Sequence, residues 1–303
     1  MMNSKSIPII FSALALLCIG LILAIALIWN QKDPAPPQTL AEGPGDARSA
    51  ADSVGASANA NDDAEVRIID VKRDFGAVGD GAADDTAAIQ AAIDEAQRVG
   101  GVLFFPAGNY ALSGDGDQLL LITRQMRILG AGLTSRLVVR KTVPNTTDVI
   151  RIKPEPGTPL LNFVIDGISI VGPEDAARHA IHLDVSEPES RAYKVNIQNN
   201  WVTQLGGNAF HLSNPEGKDG FFTSVIQDNI FFGGLSLHNA GDSINILNNT
   251  LTGRQAGIDL SMVPGAAHVV IAFNNITATD GALRITDGSQ IKVLYNQIEQ
   301  NKV

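Results

Sequence analysis

A degenerate repeat runs through the second half of this chain and restricts what it can fold into. The pattern is apolar-x-apolar-x-x-Asn-x-apolar. Val195, Ile197, Asn200 and Val202 form one copy. Ile226, Asn229 and Phe231 form the next, with Ser224 in the first apolar slot. Ile244, Ile246, Asn249 and Leu251 follow, then Val269, Ile271, Asn274 and Ile276, then Ile291, Val293, Asn296 and Ile298. An earlier copy reads Leu161, Phe163, Asp166 and Ile168, with Asp in the Asn slot. The copies recur every twenty-odd residues. A period of that length, joining alternating apolar residues to a polar turn residue, is the mark of a solenoid.

Alternation at i and i+2 puts the apolar side chains on one face of a short strand, and in a coil of strands that face points inward. Asn then sits where the chain must turn, since it tolerates left-handed backbone and bonds its own main chain. Stacked rungs would bring these amides into a column, each bonding the next.

Composition narrows the partners. The net charge is −10, from 22 basic and 32 acidic residues. That balance argues against nucleic acid. The single cysteine, Cys18, lies in an apolar N-terminal stretch. The rest of the chain therefore has no disulfide, no cysteine–metal site and no thiol nucleophile.

Residues 7–28 carry no charge. As a helix they would span ~33 Å, enough for a bilayer core, with Trp29 at the interface. A cleaved signal peptide is the alternative, but its apolar core is usually shorter. The sequence thus predicts a membrane anchor over 1–29. A disordered linker follows over 30–65, rich in Ala, Pro, Gly, Ser and Asp. The folded part is predicted over 66–303. Lys5 before the apolar run biases the N-terminus inward, which leaves the bulk of the chain outside the cytoplasm, in a periplasm or on a cell surface.

The folded part opens with DFGAVGDGAADDTAAIQAAIDEAQRVGGVLFFPAGNYAL over residues 74–112. Asp74 to Asp85 reads as a turn region, with Asp84 or Asp85 capping a helix. Ile89, Ile93 and Ala96 give that helix an apolar stripe, and Gly100-Gly101 end it. Strands follow at Val102–Phe105 and Tyr110–Leu112. Such a helix can cover the open end of a solenoid core. This segment resembles the N-terminal motif of the pectate-lyase-like superfamily, which is related to glycoside hydrolase family 28. That superfamily includes polygalacturonases, rhamnogalacturonase-like proteins, alginate C5-epimerases and phage tailspikes. The resemblance implies an all-β, single-stranded right-handed parallel β-helix with an N-terminal capping helix. It also implies an acidic polysaccharide as substrate, while leaving the reaction open. In the family the motif is structural, so Asp74, Asp80, Asp84 and Asp85 are read as turn and cap residues.

Chemistry is then expected on the outer face of a sheet. Ile181-His182-Leu183, Phe210-His211-Leu212, Leu235-Ser236-Leu237, Ile258-Asp259-Leu260 and Leu283-Arg284-Ile285 all read apolar-polar-apolar. With the apolar pairs inside, His182, His211, Ser236, Asp259 and Arg284 form one outward column. Asp184, Ser213, His238, Ser261 and Thr286 form a second. Removal of the proton α to a uronate carboxylate needs a base and a partner for the developing charge. The candidate catalytic residues are His182, His211, His238 and Asp259. Arg284 and Asp184 are the candidate substrate-binding residues. No cofactor is demanded; Asp184 and Asp259 could hold Ca²⁺ only thinly. The expected function is β-elimination on an acidic polysaccharide. A glycoside hydrolase and a non-catalytic glycan-binding module are the alternatives.

The sequence departs from named activities of the superfamily. The Asp-Pro-His-Glu motif of alginate epimerases is replaced by Ala209-Phe210-His211-Leu212-Ser213. The polygalacturonase Asn-x-Asp and Asp-Asp pairs are not evident, nor is the Arg-x-x-x-Arg signature of pectate lyases. A basic cluster of Arg124, Arg127, Arg136, Arg140, Lys141, Arg151 and Lys153 is a second candidate surface for an anionic glycan. The chain stops at Val303 without an evident cap, so either a homo-oligomer covers the last rung or further rungs follow.

Overall fold

The computed structural model describes residues 66–300, apart from 204, 216, 218, 219, 254 and 255. The predicted anchor (1–29) and linker (30–65) lie outside the described residues. Among those described, no helix is long and apolar enough to cross a membrane.

The chain winds into a coil of short parallel strands, an all-β parallel β-helix. Two sheets hold nine strands each, a third holds seven, and a fourth holds three. One rung shows the path. Asn196–Gln198 runs in the first sheet, Trp201–Val202 in the second, Phe210–Ser213 in the third and Phe221–Phe222 in the fourth. Ser224–Gln227 then opens the next rung in the first sheet, in register beneath Asn196–Gln198. Alternation sets the core. Ile197, Ile226, Ile246 and Ile271 are fully buried in consecutive rungs of the first sheet. Val202, Phe231, Leu251 and Ile276 are buried in the second. Ser224, the polar exception to the repeat, is also buried. Its hydroxyl donates to Phe222 O and accepts from Val195 N–H, so no polar atom is stranded.

The turn between the first and second sheets carries the asparagine ladder. Asn200 donates from its Nδ2 to Asn229 Oδ1 at 3.1 Å, Asn229 to Asn249 Oδ1 at 3.0 Å, and Asn249 to Asn274 Oδ1 at 2.9 Å. Asn274 donates likewise to Asn296 at 2.9 Å. Each Oδ1 also takes the backbone N–H of the asparagine in the preceding rung. Each Nδ2 also reaches a backbone carbonyl of the preceding rung, such as Ile197 O for Asn229. The residue before each asparagine is left-handed: Asn199, Asp228, Asn248, Phe273 and Tyr295 have φ between 52° and 59°.

Asp166 is not part of this ladder. Pairing of Ile165 with Ile197 puts Asp166 level with Gln198, two residues early. It accepts on the outside from Gln198 Nε2 and Asn199 Nδ2. The ladder slot of that rung is Ile168, whose N–H donates to Asn200 Oδ1 at 3.1 Å and ends the column. An apolar side chain has no amide to pass the bonds further.

Helix α1 (Thr86–Val99) buries Ile89, Ala92, Ile93 and Ala96 against strands of the first turns of the coil. It ends at Gly100, whose φ of 65° suits glycine and lets its N–H close on Ala96 O. Asp85 holds the N-cap position without a side-chain cap bond; Asp84, one residue earlier, supplies it, its Oδ1 accepting from Thr86 N–H at 3.0 Å. Asp85 is buried and accepts from Val78 and Gly79 N–H instead. Asp80–Asp84, expected as turn, is a strand paired with Gly108–Leu112 through an irregular register. Asp80 makes this possible by bonding Ala82 and Ala83 N–H within the strand.

The ladder yields a stability prediction. Asn229→Ala leaves Asn200 N–H without an acceptor in the interior and breaks the amide column. At roughly 1–3 kcal/mol for an unsatisfied buried group, it should cost about 1–3 kcal/mol in equilibrium urea unfolding. Asn199→Ala, an exposed turn position one residue before the ladder, should cost much less.

Candidate active site

The third sheet brings the outward residues into register. His182 lies beside His211, His211 beside Ser236, Ser236 beside Asp259, and Asp259 beside Arg284. Neighbours in this column are ~4.8 Å apart along the coil. The column extends one rung further back to Arg151, which pairs with His182. The flanking Ile181, Leu183, Phe210, Leu212, Leu235 and Leu237 are all buried in the core. The alternation therefore forces the middle residue of each triplet to the other face.

That face is not open along its whole length. His182 is 5% exposed and Asp184 2% exposed. Both are locked in ion and hydrogen-bond pairs. Asp148, at the start of the strand Asp148–Ile152, is completely buried and accepts from Arg178 Nη2 at 2.6 Å and Nε at 2.9 Å. The same carboxylate lies 2.6 Å from His182 Nδ1. Burial would raise its proton affinity. The His182 and Arg178 bonds outweigh that and hold it well below the usual carboxylate range. Asp148 is therefore an anion that can only accept, so His182 Nδ1 carries the proton. His182 Nε2 faces Ser213 Oγ at 2.9 Å.

Asp184 is paired with Arg151, Nη2 to Oδ2 at 2.5 Å. Its other oxygen accepts from Ser186 N–H at 3.0 Å. Burial pushes its proton affinity up, but the Ser186 and Arg151 bonds bring it below the ordinary value. It is thus committed to Arg151 rather than open to a substrate. Asp259 lies three rungs from His182 and, among the described residues, has no hydrogen bond or ion pair. At ~14 Å, three rungs of ~4.8 Å, the Asp184 and Asp259 strands are too far apart to share a calcium ion. Among the described residues no three His, Cys, Asp or Glu side chains gather to hold a metal.

Four of the five histidines converge here. His179 stacks on His211 with centroids 4.3 Å apart and planes 17° off parallel. His182 lies 4.9 Å from His211, and His238 meets it edge-on at 5.5 Å. Burial lowers the His211 pKa from 6.5 to about 3, helped by the positive charge its three neighbours would carry. Burial likewise lowers His179 to about 4. His179 Nδ1 accepts Asn208 N–H at 3.0 Å, which occupies the site where a second proton would go. His211 Nδ1 lies 3.2 Å from Ser236 Oγ. His211 is half-buried and His238 exposed, so these two form the mouth of the cluster.

The remaining expected residues are spread out. Arg284 pairs at 2.7 Å with Asp280, with side-chain exposures of 42% and 73%, so this pair is open to exchange with a ligand. The basic cluster does not form one surface. Arg127, Arg136 and Arg151 sit on the first, second and third sheets respectively. Arg124 and Lys153 are paired with Glu155 and Glu187.

Sequence reading put Arg151 in the basic cluster rather than in this column, and missed Asp148, Arg178 and His179 as site residues. Arg151 was findable, because Ile150-Arg151-Ile152 repeats the apolar-polar-apolar triplet one rung earlier. Asp148 opens its strand ahead of the triplet, and Arg178 and His179 precede theirs in an irregular segment, where no periodicity marks them.

A family model described as rhamnogalacturonase A/epimerase, pectate lyase-like, matches residues 68–303. Mannuronan C5-epimerase AlgE3 of Azotobacter vinelandii is 28% identical over 201 residues, covering 59% of this chain and 11% of that protein. Alginate lyase 7 of the same organism is 27% identical over 201 residues, covering 59% of this chain and 23% of that protein. The chain thus spans a minor part of the length of these relatives. Among solved structures, DFA-IIIase from Arthrobacter chlorophenolicus A6 in complex with GF2 superposes with a TM-score of 0.51 at 16% identity. The match covers 78% of this chain and 72% of that one, and is a likeness of fold.

The neutral histidines make stability depend on pH. Unfolded imidazoles take up protons as pH falls through 6.5, whereas folded His179 and His211 wait until about 4 and about 3. Between those limits the unfolded chain binds more protons, so stability falls with falling pH. The melting temperature should be flat above about pH 7.5 and decline steadily below about pH 6.5. His211→Gln should make that decline shallower.

Proposed function

The chain belongs to the rhamnogalacturonase A/epimerase, pectate lyase-like family, and from that premise we propose that it is an enzyme modifying an acidic polysaccharide at its uronate residues. The proposed chemistry is removal of the proton at C5, α to the carboxylate. His211 is the base. The observation that carries this reading is a neutral, half-exposed imidazole held among three others at the mouth of the cluster. A neutral imidazole can accept a proton at once, whereas an imidazolium cannot.

His238, edge-on to His211 and exposed, is placed to act as the partner acid. Protonating the departing C4 oxygen completes a β-elimination. For an epimerisation, a proton instead returns to C5 from water on the opposite face of the ring. His182, buried and bonded through both ring nitrogens, orients the cluster rather than touching the sugar. The column suits an extended polymer, since its rung spacing is about that of one sugar residue. Arg284 lies three rungs from His211, ~14 Å away, and so holds the carboxylate of a neighbouring sugar rather than of the reacting one. Asp259, unpaired between them, faces a sugar hydroxyl. A two-carboxylate hydrolysis suits this site less well. Asp148 and Asp184 are both consumed by arginines and held ionised, so neither offers a proton.

The experiment uses the full chain with a panel of polyuronates. Absorbance of the unsaturated product reads elimination, and solvent deuterium at C5 reads epimerisation. His211→Ala should lower turnover by ~10²–10⁴-fold, the usual share of a general base, in a protein that remains folded. Arg284→Ala should chiefly raise KM. Near-normal turnover in a folded His211→Ala, His182→Ala variant would overturn the assignment. The reading also includes anchoring through residues 7–28 with the β-helix outside the cytoplasm, resting on the uncharged length of that segment. The full-length protein should stay with membranes in alkaline wash; a soluble form beginning near residue 27 would identify a cleaved signal.

A further inference from the structure

We propose that Ser213 is the nucleophile of an ester-hydrolysing triad with His182 and Asp148, a second activity beside the uronate chemistry. The three side chains come from three successive rungs of the third sheet. Asp148 Oδ2 lies 2.6 Å from His182 Nδ1, and His182 Nε2 lies 2.9 Å from Ser213 Oγ. A serine triad is recognised by these roles rather than by order or fold. Asp148 is an obligate acceptor, because two bonds from Arg178 hold it as a carboxylate. That fixes the His182 proton on Nδ1 and leaves the Nε2 lone pair facing the Ser213 hydroxyl. Exposure follows the needs of the reaction. Asp148 is fully buried, His182 nearly so, and Ser213 reaches the half-exposed surface beside His211.

Ser213 Oγ also lies 3.4 Å from Asp184 Oδ1. The imidazole nitrogen is the closer acceptor, so the hydroxyl proton points to His182. Asp184 in turn holds the Arg151 guanidinium on its other oxygen.

The step balances with water as the co-reactant. Ser213 Oγ attacks the ester carbonyl as His182 Nε2 takes its proton. The C–O bond to the leaving alcohol breaks, and His182 returns the proton to that alcohol. Water, deprotonated by His182, then cleaves the acyl-serine to release a carboxylic acid and restore Ser213. The substrate is a carboxylic ester borne by the polysaccharide, either an acyl group on a sugar hydroxyl or the methyl ester of a uronate.

The test uses the full chain and does not depend on its uronate activity. A fluorophosphonate probe should label the wild type, with the adduct mapped to Ser213 by mass spectrometry. Acetylated and methyl-esterified polyuronates should distinguish the two ester sources by release of acetate or methanol. Ser213→Ala should lose at least ~10³-fold of the ester hydrolysis, and Asp148→Asn a comparable share by freeing the wrong tautomer. Absence of a Ser213 adduct in the folded wild type would overturn the triad, even if Ser213→Ala fails to fold. So would ester hydrolysis that persists in a folded Ser213→Ala, or its absence from the wild type on every ester. In those cases Ser213 merely ties His182 to Asp184.

Discussion

The coil depends on main-chain hydrogen bonds that no rung can satisfy alone. A strand of three or four residues leaves its amides unpaired until the next rung is laid against it, and the register of each pair must be exact. The asparagine ladder supplies that exactness at the tightest turn. Each amide fixes the height of the next asparagine, through its oxygen to one backbone N–H and through its nitrogen to one carbonyl. Because buried amides are costly to leave unpaired, a one-residue slip would strand several groups at once. The ladder thus does for this solenoid what a strict hairpin turn does for an antiparallel sheet.

Register is also what makes a site. The loops between the second and third sheets differ in length, yet each delivers its triplet to the same height on the coil. Residues far apart in sequence, such as Asp148, His182, Ser213 and Asp259, therefore fall into columns one rung apart. The irregular segment before each triplet adds a second layer. Arg178 and His179 come from such a segment and, with Asp148 at the start of its strand, cover the inner end of the column. Their cover explains why His182 and Asp184, on the outward face of a sheet, are nevertheless buried.

The repeat and the capping helix were legible because periodicity reports burial directly: each apolar slot of the five asparagine copies meets its counterpart in the next rung. The outward column was legible for the same reason, since a buried Ile181 and Leu183 leave His182 nowhere else to point. Asp166 shows the limit. Its copy matches the pattern by residue type, but the rung is aligned two residues away, and only strand pairing reveals that Ile168 fills the slot. The ion pairs were illegible because Arg178 comes from an irregular segment, while Arg151 and Asp184 sit on neighbouring strands in different outward columns, and no spacing in the sequence relates Asp148 to Arg178 or Arg151 to Asp184. Exposure was misjudged at Asp184 on that account: a residue outward of its sheet is free only if nothing folds over it.

Two opposing demands meet at His211 in its proposed role as base. A base must be neutral before the substrate arrives and must hold a proton afterwards, yet burial drives its pKa down to about 3, where it would hold a proton poorly. The two buried carboxylates do little to correct this, because Arg178 and Arg151 neutralise them. The correction must come from the ligand. A uronate carboxylate bound near the mouth of the cluster places a negative charge beside the imidazole ring, and an opposite charge within a few ångströms favours the protonated form. On the proposed reading the substrate itself raises the proton affinity of the base as it binds, and does so most for a ligand that carries the carboxylate whose neighbouring proton is to be removed. Neutral sugars would bring no such charge. On this argument the compensated ion pairs serve selectivity: they leave the histidine cluster electrically unfilled, so that the decisive charge is the one the polymer supplies.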